Sequence, residues 1–441
     1  MKYKNVLKFG GTSVGTARRV QTVAGLISRE SPVVVVLSAM TGTTNALVEI
    51  ANHLYRGERQ DALAAIQRLE AAYAIVTGEL YFENEIAQQA EEFLLATFAG
   101  LRSFVPGDFH PLQEKAIVAT GEIISTHLMF YYLQEQEIPV TLLPALDFMR
   151  VDKDGEPDYF YIKQNLDRLL DEPDVAPLVI TQGFICRDAA GEINNLKRGG
   201  SDYSAAIIGS VLGVDEIQIW TDVDGVRDND PRYVPNTRPA RLLSFDEAAE
   251  LAYFGAKILH PSSILPAKRA NIPVRLKNTL NPADEGTLVT AESPASDFKA
   301  VAAKDGITVI KIKSSNMLLA YGFVRKVFEV FETWKTPIDT IVTSEVAISL
   351  TIDDTSHLEQ ITAELERYGT IEIEHDLSII CVVGDFRPGR PGVVARVLQA
   401  LGDIPPRVIS YGASEHSVSL LVKRVEKRHA LVALGEELFT K

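Results

Sequence analysis

The stretch "LKFGGTSVG", Leu7 to Gly15, joins an apolar run ending near Lys8 to a glycine-rich turn. Strand, glycines and then helix is the order in which α/β proteins build anion-binding loops. Glycines let the backbone come close to an anion with its N–H groups turned inward, and the positive end of the next helix adds to the field. Two common loops are excluded by spacing. A Walker A motif needs Lys and Ser or Thr after its second glycine, and Thr16 and Ala17 follow Gly15. A dinucleotide fingerprint needs glycine two places after the first, where Thr12 stands. What remains is a lysine at the strand tip, ahead of the glycines. Lys8 brings a full positive charge beside Gly10, Gly11, Thr12 and Ser13, and Thr12 or Ser13 is suited to cap the following helix.

Similar strand-to-turn junctions recur along the first two-thirds of the chain. Short β-branched runs are read as strands: "NVLKF", "VVVVLSA" (Val33 to Ala39), "PVTLLP", "PLVITQGF" (Pro177 to Phe184), "EIQIWTDV" and "IPVRLKN". Amphipathic stretches lie between them, at Thr44 to Leu54, Asp61 to Phe98 and Ala116 to Glu135. Continuous apolar strands alternating with helices predict a mainly parallel sheet with helices on both faces. Such sheets bind ligands beyond the carboxyl ends of their strands. "KFGGTS", "LSAMTG", "TQGF" and "WTDVDG" all hold that position, so one crevice is expected to collect them.

Composition narrows the partners. At 441 residues, 46% hydrophobic and 23% charged, the chain is expected to fold into two or three globular domains. A net charge of -15 disfavours nucleic acid and anionic membrane, which reward clustered Lys and Arg. No apolar run approaches about 18 residues, so no membrane span is expected, and "MKYKNVLKF" reads as a strand rather than a leader. The expected location is the cytoplasm. Cys186 and Cys381 are too few for a disulfide framework or structural zinc site and read as small core fillers.

The tract Asn281 to Lys304 is rich in turn formers and small residues and marks a domain boundary. Beyond it lies an internal repeat. A shift of 70 residues aligns "GFVRKVFEVF" at Gly322 with "GVVARVLQAL" at Gly392, and "SEVAISLTI" at Ser344 with "SEHSVSLLV" at Ser414. Two copies of a small βαββαβ module are predicted.

Five motifs appear in one order: "KFGGTSVG", "TGE" (Thr120 to Glu122), "KRGGSDYSAA" (Lys197 to Ala206), "WTDVDGV" (Trp220 to Val226) and "FGAKILHP" (Phe254 to Pro261). Together they resemble the aspartate kinase family of the amino-acid kinase superfamily, and the resemblance covers the whole chain. It implies an amino-acid kinase fold over 1–295, followed by two ferredoxin-like ACT regulatory modules over 305–376 and 377–441. It also implies a monofunctional enzyme, with no homoserine dehydrogenase domain after Lys441. The implied reaction is ATP-dependent phosphorylation of the side-chain carboxylate of L-aspartate to 4-phospho-L-aspartate, the first step of lysine, threonine and methionine biosynthesis. A side-chain carboxylate, with an ordinary pKa near ~4, is already ionised at neutral pH, so no general base is required. Both reactants are anions, and the chemistry asks for positioning and charge neutralisation.

By position in the family's motifs, Lys8 contacts the phosphoryl group and Asp202 orients it. Gly10, Gly11, Thr12 and Ser13 form the anion cradle. Glu122 meets the ammonium of aspartate and Arg198 its α-carboxylate, with Ser38, Ala39, Thr44, Phe184, Gly199 and Ser201 nearby. The nucleotide is assigned to Thr221, Asp222, Arg227, Arg232 and Lys257. Mg²⁺ is expected on the phosphates of ATP, with no protein metal ligand; "DVDGVRDNDP" lacks the pattern of a calcium loop. Lys197, Asn194, Asn195 and Arg227 depart from the usual family residues. The tail is implied to sense an end-product amino acid, lysine foremost, through Met317, Phe323, Val324, Ile338, Asp339, Ser344 and Glu345. Threonine, S-adenosylmethionine or no effector stay open, and Ser344 and Glu345 also read as turn residues. A homodimer or higher homo-oligomer through the ACT modules is expected. Two other functions stay open from the residues: a non-catalytic amino-acid-binding regulator on the same fold, and a kinase for another carboxylate.

Overall fold

The computed structural model describes residues 3–30, 32–82, 84–196, 199–255, 259–314 and 321–439. In chain order its elements are β1 (Asn5–Phe9), α1 (Ala17–Ile27), β2 (Val33–Leu37), α2 (Thr43–Tyr55), α3 (Arg59–Leu80), α4 (Glu85–Ser103), α5 (Pro111–Glu135), β3 (Val140–Leu142), α6 (Tyr159–Leu170), β4 (Leu178–Gln182), β5 (Ile185–Arg187), β6 (Ile193–Asn195), α7 (Gly200–Leu212), β7 (Glu216–Thr221), β8 (Leu242–Ser244), α8 (Phe245–Tyr253), α9 (Leu265–Ala270), β9 (Val274–Asn278) and β10 (Thr287–Thr290). The tail adds β11 (Phe298–Lys313), α10 (Phe323–Thr333), β12 (Thr340–Thr343), β13 (Ala347–Ile352), α11 (Leu358–Leu365), β14 (Thr370–Gly384), α12 (Val393–Ala400), β15 (Val408–Ser410), β16 (Ser417–Lys423) and α13 (Lys427–Phe439). Two compact units result. The first is Met1–Val226, Arg241–Phe245 and Ile258–Glu292; the second is Arg227–Ala240, Asp246–Lys257 and Ser293–Lys441.

The first unit is built on an eight-stranded sheet in the order β3-β4-β2-β1-β7-β9-β10-β8. All its pairings are parallel except β9 with β10. Every residue of β2 is buried, as expected of a strand covered on both faces. The sequence Asp61 to Phe98 forms two helices, not one. Asn84 ends the run by accepting the Ala87 N–H at 2.9 Å and so starts α4. Both helices bury a face in the same core, so the apolar period runs through the break. By length and composition α5 is a candidate membrane span, contrary to the expectation from apolar runs alone. However, 61% of its most apolar window is buried within the chain, and its buried residues include Glu122, Ser125 and Thr126, as in a core helix.

The second unit holds an antiparallel sheet in the order β12-β13-β11-β14-β16-β15. The predicted repeat is present: α10 and α12 each follow a left-handed glycine, Gly322 (φ 78°) and Gly392 (φ 87°). The modules are nested, not consecutive. Residues 298–304 of β11 pair with 379–384 of β14 and share a core with β16, α12 and α13. Residues 309–313 pair with 370–374 and share a core with α10, β13 and α11. The module ending the chain therefore takes a strand from ahead of the other, and the expected borders 305–376 and 377–441 cut across shared strands. The repeat signal begins at the helices, so it carries no trace of this strand. Segments 227–240 and 246–257 also pack with the tail. Asn229 Nδ2 donates to Leu431 O at 2.8 Å, and Val301 N–H to Asp228 O at 2.8 Å.

Candidate active site

Residues that follow β1, β2 and β4, with one turn of α5 and the start of α7, enclose a cleft of about 630 Å³ in the first unit. Gly11, Thr12, Ser38, Ala39, Thr44, Glu122, Phe184, Gly199 and Ser201 all line it. Met40, Thr41 and Gly42 of the expected "LSAMTG" stretch and Gly200 of "KRGGSDYSAA" line it too, as does Asn45, which no motif from the sequence contained. The signal for Asn45 was its place in "SAMTGTTN", which directly follows β2 at the ligand-binding end of the sheet. Arg198 and Lys257 lie outside the described residues, as does Met317.

Lys8 stands near the end of β1, where the strand meets the glycine loop. Its Nζ is 2.7 Å from Asp202 Oδ1 in the first turn of α7, and both side chains are largely buried. Asp202 is not the cap of that helix; Gly199 (φ 79°) holds the cap position, and Asp202 is spent on the lysine. A Cβ on Gly10 would lie 3.4 Å from Lys8 Nζ, so the glycine keeps the space beside the ammonium open.

The glycine loop differs from expectation at two residues. Ser13 is buried, and its hydroxyl lies 2.7 Å from that of Thr279, so its side chain fastens the loop instead of facing an anion. Neither Thr12 nor Ser13 caps α1. The loop continues to Thr16, whose hydroxyl accepts the Arg19 N–H at 3.3 Å. Gly11 is required by proximity, because a Cβ there would fall 2.6 Å from Ala39 O.

Glu122 carries the most unusual electrostatics of the cleft. Its side chain is 4% exposed. Oε1 accepts the Ala39 N–H at 3.2 Å, while Oε2 has no hydrogen-bond partner among the described residues. Burial pushes the carboxyl up to about 7, against the pull of the Ala39 amide and of Lys8. Opposite, Phe184 adopts a left-handed conformation (φ 67°), and its N–H donates to Ser204 Oγ at 2.8 Å. Gly200 makes room for its ring, which a Cβ there would strike at 2.9 Å, and Gly183 makes room for Ser201, which a Cβ would strike at 2.4 Å. Strain at a non-glycine residue beside a cleft is a recurrent mark of functional sites. The helices α2 and α7 begin at the cleft wall after left-handed Gly42 and Gly199, so two positive helix ends flank the space.

Thr221 ends β7 and Asp222 follows it, with the Thr221 hydroxyl donating to Asp222 Oδ1 at 3.2 Å. Arg227 and Arg232 belong to the second unit and are committed locally. Arg227 Nε donates to Thr237 Oγ1 at 2.6 Å, and Arg232 pairs with Asp230 at 2.6 Å while remaining exposed. The departure at Arg227 is thus a loop clasp. Among the effector candidates, Phe323 is a core residue, Ile338 packs against that core, and Val324 is exposed. Ser344 closes the β12–β13 turn by accepting the Ala347 N–H at 3.1 Å, and Glu345 beside it is exposed. Asp339 receives Lys304 Nζ at 3.0 Å and Tyr253 OH at 3.1 Å; its Oδ2 is buried without a partner among the described residues. Among those residues, one group is spaced to hold a metal, His53, Glu58 and Asp61 at the far end of α2 from the cleft.

Residues 4–278 match the amino acid kinase family, and residues 380–438 match the ACT domain. The lysine-sensitive aspartokinase 3 of Escherichia coli (strain K12) is 35% identical over 98% of this chain and 99% of its own length. The chain belongs to the aspartokinase family. The chloroplastic aspartokinase 3 of Arabidopsis thaliana is also 35% identical, over 98% of this chain and 81% of its own. The structure is similar to that of E. coli aspartokinase III solved with aspartate and ADP in an R state, at a TM-score of 0.83 and 33% identity, covering 99% of this chain and 100% of that one. It is also similar to the same relative with lysine and aspartate in a T state, at a TM-score of 0.81 and 99% coverage of both. As a member of this family the enzyme is an ATP-dependent kinase acting on the carboxylate of aspartate, with an ACT domain toward its carboxyl end.

Proposed function

We propose that the cleft of the first unit binds L-aspartate together with the phosphoryl end of ATP. The observation that carries this reading is the buried Glu122 Oε2, unpartnered among the described residues, in the same cleft as the glycine loop and two helix N-termini. A bare carboxylate oxygen in such a place is costly unless a cation meets it, and the ammonium of an amino acid is such a cation. Arg198, next to Gly199, takes the α-carboxylate in a bidentate fork. Ser38, Ala39, Thr44, Phe184 and Ser201 then shape the space around the side chain. Thr221, Asp222 and Lys257 serve the nucleotide.

The reaction is an in-line displacement. An oxygen of the aspartate side chain forms a bond to the γ-phosphorus as the bond to the bridging oxygen of ADP breaks. No proton has to move, because the acceptor is already ionised. Lys8 Nζ neutralises charge on the transferring group, and Asp202 fixes where that nitrogen stands. With Asp202 committed to Lys8 and Glu122 to an amide and an ammonium, Mg²⁺ is best accommodated on the phosphate oxygens of the nucleotide, where it supplies further charge neutralisation.

The effector is inferred to be L-lysine, received by the module that contains Asp339, whose second oxygen lacks a partner among the described residues. The names of the E. coli relative and of its lysine complex support this choice. A homodimer or higher oligomer through the ACT modules and a cytoplasmic location complete the proposal. One assay tests it. Incubation with ATP, Mg²⁺ and L-aspartate in hydroxylamine is expected to yield the aspartyl hydroxamate, with less product as L-lysine is added. Absence of hydroxamate at every aspartate concentration would refute the reading, and product only with glutamate would move the acceptor.

A further inference from the structure

The cleft wall formed by residues 38–42 is held from three sides. The glycine loop presses on it: a Cβ on Gly11 would lie 2.6 Å from Ala39 O, and one on Gly15 2.8 Å from Thr41 Oγ1. From α5, Glu122 accepts the Ala39 N–H, and a Cβ on Gly121 would lie 2.9 Å from Ala39 Cβ and 3.2 Å from Thr43 Cγ2. The third side is α3, none of whose residues lines the cleft. Tyr73 of α3 places its hydroxyl 2.8 Å from Thr43 Oγ1, and both residues are buried. Thr43 begins α2, and its N–H closes the preceding turn on Met40 O at 3.0 Å.

Behind the wall lies a second cavity of about 330 Å³, lined by residues 40–43 on one side and by Ala65, Leu69 and Tyr73 of α3 on the other. Residues 40–42 therefore have open space on both faces. Met40 is anchored in the core, but the exposed Thr41 and Gly42 are not close-packed on these two faces. A hydrogen bond that crosses the gap then has more to fix than one inside a filled core. Burial raises the Tyr73 phenol far above its ordinary value, with the Thr43 bond pulling the other way, so its proton stays in place at any working pH.

We propose that Tyr73 is a positioning residue for the acceptor amino acid. Through Thr43 its hydroxyl sets where Ser38, Ala39 and Thr44 stand against Glu122, and so sets the affinity for aspartate without touching it. The proposal rests on the reading of the cleft as the aspartate site. It assigns Tyr73 to the acceptor half of the reaction alone: the wall carries no residue assigned to the nucleotide.

The test is steady-state kinetics on the full-length enzyme with Tyr73→Phe, Thr43→Val, the double variant, Thr43→Ser and Glu122→Gln. Tyr73→Phe and Thr43→Val each remove one hydroxyl, keep the shape and leave the other hydroxyl buried and unpaired. Each is expected to raise the KM for aspartate about fivefold to tenfold, with kcat and the KM for ATP within about twofold. The double variant should be no worse than either single one, because both delete the same bond. Thr43→Ser should stay near the parent. Should Tyr73→Phe fail to fold, Thr43→Val decides alone. An unchanged KM for aspartate, or equal shifts in kcat and both KM values, overturns the positioning role. If Glu122→Gln raises the aspartate KM while Tyr73→Phe does not, only that role is lost. If Glu122→Gln also changes nothing, the cleft reading falls with it.

Discussion

A carboxyl with one oxygen on a backbone amide and the other bare among the described residues, as at Glu122, resists ionisation until a cation arrives. Its folded pKa, about 7, stands above the ordinary 4.5 because of burial. Below that value the empty site holds a neutral acid, which must lose its proton before it can pair with an ammonium. The KM for aspartate should therefore fall by up to about tenfold per pH unit as pH rises toward 7, then level off. A pH series of aspartate KM values checks this, and Glu122→Gln should flatten the profile. Of the residues that line the cleft, Glu122 and Ser201 were legible because they sit in motifs with distinctive order. Ser13 was misread for a physical reason. A serine in a glycine loop faces a ligand or the core with equal ease, and its partner Thr279 lies 266 residues away. Arg227 and Arg232 were similarly opaque, since each satisfies its guanidinium on a neighbour in its own loop.

At the level of elements, the site is a convergence of strand ends and helix starts, held at backbone distance by glycines. The strands of the first sheet were legible to within a few residues, as runs such as "VVVVL" have no competing period. Helix starts were less so. The cap of α1 came at Thr16, beyond Thr12 and Ser13 and directly after Gly15, and the α3–α4 break was hidden by a shared apolar face. The short strands β10 and β8, at one end of the sheet, carry too few residues to show alternation. The close approach of the glycine loop to the β2–α2 turn yields a direct prediction. Gly11→Ala places a methyl 2.6 Å from Ala39 O and must move one wall of the cleft. Misplacement of that size is expected to lower kcat/KM by about a hundredfold. Far-UV circular dichroism should remain that of the parent, because the clash lies between two loops; parent-like kcat/KM would show that the wall tolerates the shift.

For the molecule as a whole, the partition of the chain was the least legible feature. The boundary near residue 295 follows composition, whereas segments 227–240 and 246–257 fold with the tail through contacts such as Asn229 to Leu431. Nesting of the two modules was equally hidden, because β11 and β14 each serve both and local patterning has no record of sharing. Within the second unit, Lys304 bridges Asp339 and Asp353, and Tyr253 donates to Asp339. An internal ammonium thus occupies one side of the carboxylate assigned to the effector. Turnover by the whole enzyme is nevertheless expected to hinge on one nitrogen, Lys8 Nζ, which the first sheet and α7 hold beside the glycine loop. The most direct measurement is kcat for Lys8→Ala in the hydroxamate assay, alongside its aspartate affinity and melting curve. Its kcat is expected to fall by about a hundredfold to a thousandfold or more, with folding and aspartate binding retained. Turnover within tenfold of the parent would contradict it.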